Sequence, residues 1–282
     1  MKFLKSDEKI HKNLLDKADS LCAELLEHPV LSMYRDKIAI ILKGSTAHGY
    51  SDCYSDVDFV VFCPRSEKQK IVDEYIKQGL STRRDGVFLP LDNWVGHYNI
   101  DAYEDIVDKY DQQKIEYLWE YGGSKILYDH SGMFADVIKE VMLRFEQDLP
   151  MLTKAKYIDC QLYLDWLRQP LRRADEGATL LYTANVYACV NQLLFLLCEV
   201  PYPCDKWLPY NFAQLAICDS LKEKVESLPG LLAELHKDFK PGLELVEYPI
   251  YKQGADIIND IKEMLKDKYG NQQWIDEWYL YA

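Results

Sequence analysis

The chain has 282 residues, 48% of them hydrophobic and 28% charged, which is enough apolar mass for one large domain or two ordinary ones. Its 33 basic and 46 acidic residues leave a net charge of −13, which excludes general affinity for a nucleic-acid backbone and is compatible with a cationic small molecule, or simply with solubility. No apolar run reaches the roughly 18 residues of a bilayer span, and the charged start from Met1 to Lys9 is not a secretory signal, so a soluble cytoplasmic protein with no membrane partner is expected.

In chain order, Leu14, Leu15, Ala18, Leu21 and Leu25 recur at helical spacing and predict a helix over residues 10–28. Residues 37–42 are a short Ile-rich run ending near Gly44, read as a buried strand, and residues 56–62 are a second strand closed by Cys63-Pro64. Residues 66–79 are charged with helical period, and residues 94–103 are a third strand. Strand, helix, strand, strand with short connections implies a small mixed sheet with helices packed on it. From about Ile106 helical patterns take over, at residues 157–168, 176–199, 221–239 and 255–268. Pro201 and Pro203 stop the second of these, and Pro241-Gly242 separates the last two. The expected fold class is α+β, with a mixed-sheet domain over residues 1–135 and a helical bundle over residues 136–282. The two are expected to enclose a cleft, where ligands commonly bind. The eight cysteines form no Cys-x-x-Cys pair and no zinc-finger spacing, so they are read as small core residues in a reducing compartment.

The chemistry concentrates between the first two predicted strands, in Gly44-Ser45-Thr46-Ala47-His48-Gly49, five residues, then Ser55-Asp56-Val57-Asp58-Phe59. A Gly-Ser at a strand end lets the backbone turn sharply and brings N–H groups close to a phosphate, with the Ser45 hydroxyl as a further donor. Asp56 and Asp58 are two apart on a strand, so both carboxylates project from one face while Val57 and Phe59 face the core. Two carboxylates side by side repel unless a cation sits between them. Oxygen ligands of this kind favour Mg²⁺ that shares substrate phosphates.

This fifteen-residue composite closely resembles the signature of the nucleotidyltransferase superfamily that includes DNA polymerase β. It looks most like the small-molecule branch, the bacterial aminoglycoside and related antibiotic adenylyltransferases. The likeness covers roughly residues 30–105; beyond that, only the general layout is similar. His48 departs from the pattern, which often has Arg or another polar residue there. The resemblance implies a nucleotidyltransferase fold in the first domain, Mg²⁺ on Asp56 and Asp58, and ATP or another nucleoside triphosphate held at Gly44 and Ser45. It also implies a third carboxylate on a later strand, as metal ligand or general base. Asp101 is preferred for that role over Glu104 and Asp92, the alternative being that Asp101 caps the helix starting near Asp105. In the helical half, Lys206 in the Pro-ordered loop 201–209 is read either as the basic residue that related enzymes often bring from their helical domain to the triphosphate, or as a solvated lysine. Trp207 is either a stacking platform or a core residue. Arg172 and Arg173 are read as a helix end in preference to a phosphate clamp, and His48 and His97 as structural histidines in preference to ligands.

The expected activity is Mg²⁺-dependent transfer of AMP from ATP to a hydroxyl of a small molecule, with an aminoglycoside-like antibiotic as the acceptor that the resemblance implies. The alternatives are the same chemistry on a protein acceptor, as in toxin–antitoxin pairs, and a non-catalytic nucleotide-binding regulator.

Overall fold

In the computed structural model, which describes residues 7–92, 95–238 and 243–282, the apolar runs of the first half become strands of one sheet. Met1 to Ser6, Trp94 at the head of the third predicted strand, and the Pro241-Gly242 breaker lie outside the described residues. The chain divides into two compact units, Met1–Phe145 and Glu146–Ala282.

The first unit opens with helix α1 (Glu8–Leu26), whose N-terminal donors are satisfied by Asp7. The Asp7 carboxylate accepts from the N–H groups of Lys9 and Ile10, each at 3.0 Å. There follow β1 (Ala39–Lys43), the single turn α2 (Gly44–Ala47), β2 (Val57–Cys63), α3 (Arg65–Lys77), β3 (Phe88–Leu91) and β4 (Gly96–Ala102). Helices α4 (Tyr103–Asp111) and α5 (Ile115–Gly122) then lead to β5 (Lys125–Asp129). The sheet order is β3-β4-β2-β1-β5. Only β2 and β4 run parallel, and α3 lies in the long crossover that parallel neighbours require.

The two edge strands are the ones the sequence reading missed. Strand β3 carries Pro90, which an edge tolerates, and β5 is half exposed and lies in the stretch read as helical. Neither has the continuous apolar run that marked β1 and β2.

One face of the sheet is covered by α1 and α3, through Ala18, Leu21, Leu25, Ile71 and Tyr75 against Ile40, Leu42, Val57, Phe59 and Val61. On the other face Phe62 meets Tyr103, Tyr121 and Phe134 at ring separations of 6.0, 5.3 and 5.2 Å. Alternation puts Asp58, Val60 and Phe62 in one row on that second face. Val60 and Phe62 are fully buried, so Asp58 is the polar head of an apolar row.

The second unit is helical. Helix α6 (Met133–Arg173) has Pro150 and Pro170 inside it, and the division between the units falls within its span. It is followed by α7 (Glu176–Leu197), α8 (Leu208–Phe212), α9 (Asp219–Asp238), α10 (Pro249–Tyr269) and α11 (Gln273–Asp276). The Asp175 side chain caps α7 by accepting from the N–H of Ala178 at 3.0 Å. Helix α7 packs against α9 and α10 and buries Val186, Val190, Leu193 and Leu194. By length and mean hydropathy α7 could cross a membrane, but it is interrupted by polar residues and 56% of its most apolar window is buried within the fold. Cys22, Cys63, Cys160 and Cys189 are core residues as expected, whereas Cys53 and Cys218 are exposed.

Candidate metal centre

The site begins at the turn from β1 into α2. Gly44 has φ of +72°, a left-handed conformation that favours glycine. A Cβ at Gly44 would come within 2.4 Å of Asp58 Oδ2, so the residue also has to be small for the aspartate to lie against it. The loop that follows is pinned from inside. The buried Thr46 hydroxyl donates to the Asp56 carbonyl at 2.8 Å and accepts from Ser51 Oγ at 3.4 Å. Further along, the N–H of Tyr54 donates to Asp52 Oδ1, and the N–H of Asp52 to Ser55 Oγ, both at 2.9 Å. These bonds return the chain to the sheet with Asp56 and Asp58 beside the Gly44 turn.

The third member of the cluster is His97. Its Nε2 lies 3.0 Å from Asp58 Oδ1 and its Nδ1 3.6 Å from Asp56 Oδ2. One ligand atom from each of Asp56, Asp58 and His97 can be chosen so that all lie within 4.8 Å of one another. The parallel register brings this about by setting Asp58 opposite His97. Gly96 makes that register possible, because a Cβ there would fall 2.0 Å from the Val57 carbonyl oxygen. Burial, and next the neighbouring Asp56 charge, push the Asp58 carboxyl above its ordinary value, while Lys43 and His97 act the other way. Two carboxylates and an imidazole, partly buried and with like charges adjacent, are a donor set that fits a divalent cation.

Glu120 on α5 is a neighbour that the sequence reading did not single out. Its Oε1 accepts from the Gly44 N–H at 2.6 Å, the donor expected to meet a phosphate. The turn therefore does present an N–H to an anionic oxygen, and a carboxylate of the chain takes it. His48, one turn further on, stacks on Trp119 with ring centroids 3.9 Å apart. Its Nε2 is 4.0 Å from Glu120 Oε1, too far for a hydrogen bond, and is buried without one. Burial lowers the His48 pKa, with Glu120 opposing.

Asp101 does not join the cluster. It stands opposite Phe62, four residues beyond His97 on β4, or about 13 Å along the strand at ~3.3 Å per residue. There its carboxylate accepts from Asn99 Nδ2 at 2.9 Å and pairs with Lys68 and Lys109 at 3.4 and 3.6 Å. Nor does Asp101 cap α4; the Asp105 carboxylate does so, accepting from the Ala102 N–H at 2.9 Å. The other candidates are also engaged elsewhere, Asp92 with Lys17 and Glu104 with the Arg65 N–H at 3.0 Å. Of the β4 residues it is His97, not Asp101, that stands beside Asp58, and the glycine just before it is the sequence feature that permits this approach. In the helical unit Lys206 is exposed, its Nζ 4.7 Å from the Trp207 ring centroid, and Trp207 itself is buried as a core residue.

No family model matches the chain, and no curated protein matches it. Among solved structures, the chain is similar to a nucleotidyltransferase-like protein from Exiguobacterium sibiricum 255-15. The two share 9% identity over 93% of this chain and 78% of that one, with a TM-score of 0.45. The functional reading rests on the geometry of Asp56, Asp58 and His97 and on the signature that contains the two aspartates.

Proposed function

We propose that this protein is a divalent-metal-dependent nucleotidyltransferase that moves a nucleoside monophosphate, AMP from ATP, onto a hydroxyl of a small molecule. The observation that carries the reading is the Asp56–Asp58–His97 cluster set against a left-handed Gly44 turn whose N–H is already bound by an anionic oxygen. Asp56 and Asp58 would hold the ion through oxygen, and His97, in the neighbourhood expected of Asp101, would orient the Asp58 carboxylate at 3.0 Å. Mg²⁺ is the ion proposed, because a carboxylate pair that leaves room for substrate phosphates suits it. When bound, it supplies charge neutralisation on the phosphates and polarises the phosphoryl group under attack.

The chain's own residues do the positioning. Gly44 and Ser45 receive the phosphates, and Glu120 must give up the Gly44 N–H as they arrive. The acceptor's hydroxyl oxygen attacks the α-phosphorus and loses its proton to solvent, the bond from the α-phosphorus to the oxygen bridging to the β-phosphate breaks, and pyrophosphate leaves. An aminoglycoside-like acceptor is the class that the signature's resemblance favours, and the net charge of −13 is compatible with a cation. We place the activity in the cytoplasm, where exposed thiols such as Cys53 and Cys218 stay reduced.

The test is incubation with labelled ATP and Mg²⁺ across a panel of amino-sugar antibiotics. Pyrophosphate release and labelled product dependent on one compound are expected, with both lost in Asp56→Asn and Asp58→Asn. Turnover that survives either substitution would overturn the site assignment, and ATP binding without transfer to any acceptor would leave a nucleotide-binding regulator instead.

A further inference from the structure

The helical unit contains a cavity of about 550 Å³ that the proposed reaction does not use. Its walls are the last turns of α6 and the first turns of α7. Two kinds of side chain dominate it, the arginines Arg168, Arg172 and Arg173 and the aromatic pair Trp166 and Tyr182.

The cavity's carboxylates are both engaged, Asp165 in an ion pair with Arg168 at 2.8 Å and Asp175 in capping the α7 N–H of Ala178. Arg168 is thereby neutralised. Among the described residues no carboxylate is paired with Arg172 or Arg173. The cavity thus carries three arginines against two carboxylates, and the guanidinium groups of Arg172 and Arg173 line it outside any ion pair, in a protein whose net charge is −13. Each can donate two parallel hydrogen bonds to a phosphate or carboxylate. Beside them, Trp166 and Tyr182 form an aromatic wall with centroids 6.2 Å apart. Trp166 is 47% exposed, so its indole offers a face to which a flat ring can add. The volume is that of a small-molecule site.

We propose that this cavity binds a small organic anion carrying a flat ring, a phosphate ester of the size of a mononucleotide, with Arg172 and Arg173 on the anion and Trp166 on the ring. The positive wall has the wrong sign for a cationic amino sugar, so the cavity is not assigned to such an acceptor. The inference stands apart from the metal centre and from the transfer reaction.

The experiment is calorimetric titration of the full chain in EDTA, at low salt, with four probes: AMP, phenyl phosphate, adenosine and inorganic phosphate. AMP or phenyl phosphate is expected to bind at least about tenfold more tightly than adenosine or inorganic phosphate, since two charge-assisted contacts are at stake. AMP ahead of phenyl phosphate marks a nucleotide site; the reverse order marks a site for another aromatic ester. Arg172→Gln with Arg173→Gln should weaken that binding at least about tenfold, and Trp166→Leu several-fold. The proposal is overturned if no probe binds, if adenosine binds as well as AMP, or if the double arginine variant binds like the parent. Asp58→Asn should leave this binding unchanged while removing metal-dependent turnover, so that failure here and failure of the transferase reading can be told apart.

Discussion

Two acidic regions lie along one face of the same sheet, and they differ in what the fold gives them as partners. At one end Asp101 is neutralised by Lys68 and Lys109, and Lys68 also reaches Asp105 at 2.8 Å. At the other end Asp56 and Asp58 lie beside His97, with the Lys43 charge acting on Asp58 but forming no ion pair with it among the described residues, and the Asp58 carboxyl is raised by burial and by its neighbour. A carboxylate with lysines around it is a finished structural contact. A carboxylate pair that repels itself is unfinished until a cation arrives, and that contrast, more than the count of acids, separates the candidate site from the scaffold.

The largest expected effect breaks the contrast at its functional end. Asp58→Asn should cut metal-dependent turnover by at least about 10²–10³-fold and abolish any rise in Tm on adding Mg²⁺, whereas Asp101→Asn should leave turnover near that of the parent. Thermal melts and initial rates on both variants check it, and equal losses would erase the distinction.

Next is stability. Asp101→Asn is expected to cost roughly 1–2 kcal/mol by chemical denaturation, because it leaves two partly buried lysines short of a partner. Gly96→Ala should cost about 1–3 kcal/mol and weaken the metal response, since the added methyl would meet the Val57 carbonyl and push His97 away from Asp58.

The pH dependence sharpens the same contrast with a definite sign. A carboxyl whose folded-state pKa is raised destabilises the fold while ionised. That cost is full above the folded pKa and vanishes as pH falls below the unfolded value, 3.8. The metal-free Asp58→Asn protein should therefore melt no lower than the parent at neutral pH. Any advantage should shrink as pH falls toward 3.8, as melts in EDTA across that range would reveal. The smallest effect is at the turn. Glu120→Gln keeps the shape but removes the charge competing for the Gly44 N–H, so the KM for ATP should fall a few-fold, worth about 1 kcal/mol.

Much of this was legible in the sequence where the governing spacing is short. The period-two alternation from Asp56 to Phe62 put both aspartates on one face and Val57 and Phe59 in the core, and α3 and α7 begin within a residue of their expected starts. The edge strands β3 and β5 were not legible, because a half-exposed strand of four or five residues has no pattern strong enough to separate it from a loop. His97 was taken as structural, and Asp101 four residues on was preferred, because strand pattern does not say which β4 residue lies opposite Asp58; Glu120 comes from a helix far along the chain with no local sign of the site.

What the sequence by itself determined is the local chemistry: a glycine where the chain must turn left-handed, two aspartates at strand spacing, and arginines at the end of a helix. Only the tertiary structure decided which distant groups complete each set. The parallel register of β2 and β4 placed His97, not Asp101, beside Asp58, because hydrogen-bond pairing between strands depends on where a crossover lets them align. The packing of α7 on α6 made a cavity from arginines that, on one helix alone, are no more than a charged helix end. Side-chain periodicity is a property of the chain, whereas register and enclosure belong to the fold.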